Sequence, residues 1–169
     1  MKRVIFVLAL TLGLAGTAAA QQKVGHINVD ELLAVMPETS TAEAEIQKYA
    51  EQLEGDLAEM QQEYTTKLQN AQANQNTWTQ LRLQKEGEEL QAMEQRMMAF
   101  NQSAQQELQR KQMDLMLPII EKAQNAVNKV AEDNGFAYIL DASPSKAIVI
   151  YLDGGDDLMA LVKAELGIN

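Results

Sequence analysis

The side chains that could do covalent chemistry are few and scattered. His26 is the only histidine, there is no cysteine, and the serines are Ser40, Ser103, Ser143 and Ser145. A catalytic nucleophile needs a base within hydrogen-bond reach and a third group to orient that base. None of these serines lies in a strand–turn–helix nucleophile elbow, and His26 sits in the alternating stretch Val24-Gly25-His26-Ile27-Asn28-Val29, where a lone histidine reads as a packing or surface residue. No HExxH pair, paired-cysteine zinc pattern or glycine-rich phosphate loop is present. Asp153-Gly154-Gly155-Asp156-Asp157 has the acidity of a calcium loop but not its spaced ligands or distal glutamate, and reads as a turn followed by a helix cap. The expectation is therefore no enzyme, no cofactor and no metal site. What remains is the chemistry of contact. Trp78, the only tryptophan, and Met98, Met116 and Ile120 fall off the main apolar seam of the chain. Flexible apolar groups on a surface suit varied apolar partners. Two readings stand side by side: these four residues touch a bound partner, or Trp78 plugs a hairpin end while Met116 and Ile120 pack internally.

The elements that must position them occupy Ser40 to Asn134, where loop signals are almost absent. A first stripe runs Ile46, Ala50, Leu53, Leu57, Met60, Tyr64, Leu68, Ala71, and a second runs from Leu83 through Leu90, Met93, Met97, Phe100, Ala104 and Leu108 to Leu115, Ile119, Ala123, Val127 and Val130. Apolar residues three and four apart on a charged background predict two long helices paired as an antiparallel coiled coil. Lys111 or Gln112 interrupts the second seam with a polar group. The stripe lapses at Ala73-Asn74-Gln75-Asn76-Thr77, which places the tip at 73–79, with Thr77 or Thr79 capping the returning helix. A reversal near Asn76 brings Leu53 to the level of Met97 and Phe100, Met60 to Met93, and Leu68 to Leu83. Each arm helix of about 35 residues spans about 50 Å. Pro37 and Pro118 fall at one height, as at a neck, and Gly55, Gly87 and Pro118 each weaken the helix locally.

The flanks read differently. Met1-Lys2-Arg3, the apolar run Val4 to Ala15 and Ala18-Ala19-Ala20 have the form of a secretory signal cleaved after Ala20, and the run falls short of the roughly 20 apolar residues a membrane span needs. An exported chain without cysteine fits a bacterial periplasm. Removing Lys2 and Arg3 from 14 Lys+Arg leaves 12 against 24 Asp+Glu, a net charge of −12. That balance excludes the cationic surface nucleic acid requires and disfavours direct binding to anionic lipid. Val24–Val29 predicts a strand, Asp30 to Met36 a short helix ended by Pro37, and Ser40 or Thr41 caps the first long helix. After Asn134-Gly135, a helix stop, Phe136–Asp141 predicts a second strand and Ala147–Tyr151 a third, apolar on both faces; Gly154-Gly155 and an aspartate cap then introduce a last helix. The expected fold is α+β, mostly α: residues 21–39 and 118–169 form a small three-stranded body, with a long helical-hairpin arm at 40–117. A sheet needing cover on both sides, in a body near the size limit for independent folding, predicts an oligomer.

The order of these elements, together with Val24-Gly25-His26-Ile27-Asn28-Val29-Asp30-Glu31-Leu32-Leu33, Met36-Pro37-Glu38, Leu117-Pro118-Ile119-Ile120-Glu121-Lys122 and Val130-Ala131-Glu132-Asp133-Asn134-Gly135-Phe136 running on to Asp141, resembles the Skp (OmpH-like) periplasmic chaperone family. The likeness covers the whole chain after the leader. It implies a homotrimer whose helical arms enclose a cavity, acting as an ATP-independent holdase that keeps unfolded outer-membrane proteins from aggregating. The best-known members are basic, whereas residues 38–134 here carry 9 Lys+Arg against 17 Asp+Glu. Client capture then leans on apolar and hydrogen-bonding contacts, or on basic clients. The rival reading is a structural spacer or adaptor whose arms dock one defined envelope partner.

Overall fold

The computed structural model describes residues 22–168; the leader read at residues 1–20 lies outside the described residues. The elements are β1 (Lys23–Ile27), α1 (Val29–Val35), α2 (Pro37–Asn74), α3 (Gln80–Asn134), β2 (Phe136–Asp141), β3 (Asp156–Asp157) and α4 (Met159–Leu166). The fold is mostly helical, with two long helices and a small sheet. It divides into two compact units, one made of the chain up to Val29 with Ala126–Gly167, the other of Asp30–Asn125.

In the first unit the strands lie in the order β2-β1-β3, and β2 and β3 both run parallel to β1. Gly135, at φ 69°, takes the left-handed turn that stops α3, and the Asn134 side chain donates back to the Val130 carbonyl at 2.8 Å. The chain leaves β2 through Asp141. Burial pushes the Asp141 carboxyl up, but the Ser143 hydroxyl at 2.5 Å and the Ser143 and Val29 amides at 2.9 and 3.4 Å outweigh it and hold its pKa below the ordinary value. A depressed native pKa stabilises the fold above the unfolded value, and that contribution disappears as pH falls through the native one. α4 starts behind Leu158 without a side-chain cap, and the Asp157 expected to cap it instead accepts from the Met159 amide at 2.9 Å in a local turn just ahead of the helix. Ile27, Val127, Val130, Leu158 and Val162 are buried in this unit.

Gly25 is required by close approach. A Cβ there would collide with Leu158 Cδ1 and press on the Phe136 ring at 3.0 Å and the Asp156 carbonyl at 3.1 Å. Gly25→Ala is expected to destabilise the protein by about 1–3 kcal/mol, the usual penalty for overpacking, measured as a lowered urea midpoint.

The third strand differs from the sequence expectation. Ala147–Tyr151 is irregular, and β3 is instead the two-residue Asp156–Asp157. The reason is topological. β2 holds one edge of β1, and at the other edge Gly25 and His26 pair with Asp156 and Asp157. Gly154 at φ 120° and Gly155 at φ 83° turn the chain back to reach that edge. With both edges of β1 taken, the 147–151 segment pairs with no strand, although β2 and β3 each keep an outer edge. Three of its large side chains stand in solvent, Ile148 63% exposed, Ile150 96% and Tyr151 80%, and Val149 is half-buried.

In the second unit α2 begins at Pro37 rather than at Ser40 or Thr41. Proline at the first turn gives up an N–H that has no helical acceptor there, so the helix can start on it without a side-chain cap. Thr41 donates to the Pro37 carbonyl at 3.2 Å instead of capping. Between α2 and α3 the chain reverses: the Thr77 and Trp78 amides both donate to the Asn74 carbonyl, at 2.9 and 3.0 Å, and the Arg82 amide donates to Thr79 Oγ1 at 3.3 Å. The two helices are antiparallel, linked from tip to base by Lys67 to Glu86 and Glu89, Tyr64 to Glu94, Tyr49 to Glu107, Lys111 to Glu45 and Lys122 to Glu38. These pairs place the register about one helical turn further along α3 than the Asn76-centred expectation. α3 continues through Pro118 without a break.

Candidate functional site

The hairpin is a paired rod with no third layer, and its burial follows from that. Every position of the first stripe, Ile46 to Ala71, is only half-buried. On α3, Leu83, Leu90, Met97, Phe100, Ala104, Leu108 and Leu115 are half-buried too, and Met93 and Ile119 are buried. A two-helix seam covers one side of each apolar residue and leaves the other to solvent or to a guest. Along one flank a cleft of about 640 Å³ is lined by Leu57, Gln61, Met97, Met98, Asn101 and Gln105, among others. It shares Leu57, Asn101 and Gln105 with a second cleft of about 240 Å³ that reaches Ala50, Leu53 and Leu108. A third, of about 540 Å³, lies where Pro37 and Pro118 face each other beside the Glu38–Lys122 ion pair.

Electrostatics tie the helices together at the edges of the seam. Lys67 donates to Glu86 at 2.8 Å and to Glu89 at 2.5 Å, and these two bonds hold its pKa above the ordinary lysine value. The Tyr64 hydroxyl donates to Glu94 at 2.5 Å and the Tyr49 hydroxyl to Glu107 at 2.7 Å; the accepting carboxylates push both phenols up. All of these pairs are at the surface, so they set register more than they set stability.

The four contact candidates do not converge. Trp78 is half-buried in the turn, its ring covered by the Arg82 guanidinium at 4.1 Å, with Leu81 beside it 77% exposed. Met98 is 66% exposed on the rim of the larger cleft. Met116 is half-buried and Ile120 exposed, and Met98 and Ile120 are about 33 Å apart at 1.5 Å per residue. Sequence reasoning missed Met113 and Leu117, both exposed, which continue the apolar patch of Met116 and Ile120 on α3. The i, i+3, i+4, i+7 spacing of 113, 116, 117 and 120 is the signal that would have found them. Among the described residues no group of three or more His, Cys, Asp or Glu could hold a metal ion, and no helix is long and apolar enough to cross a membrane. His26 lies in β1, where its carbonyl accepts from the Leu158 amide at 3.0 Å.

The fold is one of long paired helices and a small sheet, with partly covered apolar side chains along the helical hairpin. Residues 23–166 match the family model for outer membrane protein (OmpH-like), and the chain belongs to this Skp-like periplasmic chaperone family, which is non-enzymatic. It is 26% identical over 161 residues to the chaperone protein Skp of Yersinia enterocolitica, covering 95% of this chain and 96% of that one. A crystal structure from Caulobacter crescentus CB15, described as an OmpH-like outer membrane chaperone, superposes with a TM-score of 0.74 over 89% of this chain and 86% of that chain, at 16% identity. At that identity the structural likeness speaks for the fold.

Proposed function

We propose that this protein is an ATP-independent periplasmic holdase that keeps unfolded outer-membrane proteins from aggregating, and that it works as a homotrimer whose helical hairpins form a cage. The observation that carries the reading is the half-buried seam. A rod whose apolar residues are only partly covered offers many shallow contacts to an unfolded chain, and many weak contacts in parallel hold a client while letting it go stepwise. The exposed Ile148, Ile150, Tyr151 and Leu152 support the trimer, because apolar β-forming residues without cover in one chain are covered by copies of themselves. The leader read at residues 1–20 supports export across the inner membrane, with cleavage after Ala20.

The test is dilution of a denatured outer-membrane protein from urea with and without the protein. Light scattering falls in proportion to added trimer and reaches baseline near equimolar if the reading holds; scattering that does not change removes it. One feature favours the adaptor reading: the tip, where Arg82 holds Trp78 and leaves Leu81 bare. A docking tip requires Trp78→Ala to abolish capture of a single stoichiometric partner, whereas a cage of arms keeps nearly all its holdase activity in that variant.

A further inference from the structure

One face of α3 is kept free of charge along most of its length. Gln91, Gln95, Gln102, Gln105 and Gln109 lie on it, separated by steps of three, four or seven, and all are exposed. The same stripe carries Met98, Met113, Met116 and Ile120. At 100° per residue these nine positions fall within a sector about 80° wide, and no Lys, Arg, Asp or Glu of residues 91–120 falls inside it. The six charged residues of this stretch, Glu94, Arg96, Glu107, Arg110, Lys111 and Asp114, all lie outside the sector. A solvated helix face with no task is where charges normally collect. Here they are displaced by a side chain that carries both a hydrogen-bond donor and an acceptor, and by the most adaptable apolar side chain.

We propose that this stripe is a binding track for an uncharged, extended segment of unfolded polypeptide, with alternating apolar and small polar side chains. The inference rests on the holdase reading and specifies where and what such a protein holds. The match is chemical. An unfolded backbone presents N–H and C=O groups in alternation, and a glutamine amide pairs with either. Methionines accept side chains of differing shape without a fixed pocket. The track from Gln91 to Ile120 is about 44 Å long, enough for about thirteen residues of extended chain. Charge complementarity selects the neutral segment: a charged side chain laid on the track would lose water and find no counter-charge within it. The acidic excess of the hairpin, 17 Asp+Glu against 9 Lys+Arg over residues 38–134, further disfavours acidic segments. Gln105 spends one N–H locally, on Asn101 at 3.0 Å, and keeps its carbonyl for a guest.

The test uses the full protein and fluorescent peptides that alternate valine with threonine, with lysine or with glutamate. Anisotropy should show the threonine peptide binding tightest, and N-methylation of alternate backbone amides should weaken it about tenfold, the effect of losing a few hydrogen bonds. Gln102→Glu with Gln109→Glu, and separately Gln102→Lys with Gln109→Lys, should each weaken it by a similar factor. Gln52→Glu with Gln62→Glu, exposed positions on α2, should leave it unchanged; circular dichroism checks that all three variants stay helical. Equal binding of all peptides, indifference to the α3 substitutions, or an equal loss in the α2 control overturns the track. So does a change in solution mass in the α3 variants, which would make the stripe a contact between copies of this chain. Wild-type protein that suppresses aggregation while the track variants suppress it equally well sinks this inference alone; wild-type protein that fails to suppress it sinks the holdase reading.

Discussion

Ile150→Asp is expected to convert the proposed trimer to monomers and to remove its holdase activity. Ile150 is 96% exposed in the single chain, Tyr151 80% and Ile148 63%, so the substitution touches little within the protomer and helix content should be unchanged. In the proposed trimer the same side chain is buried once per subunit. Burying an isoleucine contributes about 1.5–3 kcal/mol, and an aspartate in its place adds a carboxylate with no partner. Repeated at every subunit contact, that is enough to shift a trimer fully to monomer at ordinary concentrations. Multi-angle light scattering reads the outcome directly. A variant that stays trimeric places the assembly contact elsewhere, and a wild-type monomer removes the cage.

Met93→Ala should loosen the hairpin more than any other single truncation between Ile46 and Leu108. Met93 is the seam residue in that stretch that reaches full burial, at 5% exposure, while its neighbours Leu90, Met97 and Phe100 are half-buried. Removing a buried methionine side chain costs about 2–5 kcal/mol when the surroundings cannot collapse. A two-helix rod has no third element to close the gap, and the surface pairs of Lys67 and Tyr64 on either side cannot compensate. Hydrogen exchange should therefore quicken across the middle of both long helices, with β1 and β2 unaffected. Protection unchanged in the hairpin would mean that the seam is not held at Met93.

The long helices were legible because their information is local and periodic. Ile46 to Ala71 and Leu83 to Val130 each repeat every three or four residues, and the seam uses those positions. The stop at Gly135 and the Thr79 cap were readable for the same reason, since one or two side chains decide each. The start of α2 was misplaced because Pro37 opens a helix silently, without the side-chain cap that Ser40 and Thr41 advertise. The hairpin register slipped by a turn because it depends on the path through residues 75–79, where no apolar spacing constrains it. The third strand was misread because an apolar run reports a need for cover but not which chain supplies it. At the contact surface, Met98 and Ile120 stood out as apolar residues off the seam. Met113, Leu117 and the glutamine stripe did not, because a glutamine is ordinary filler until the helix shows which face it shares.

The claim that unfolded polypeptide is held on the open flank of the hairpin is tested most directly by methyl NMR of the methionines, with an unfolded outer-membrane protein added. Met98, Met113 and Met116 should shift and broaden as client is titrated, while buried Met36 and Met93 keep their positions. Client that binds while those three signals stay still, or that perturbs only Met36 and Met159, contradicts the account.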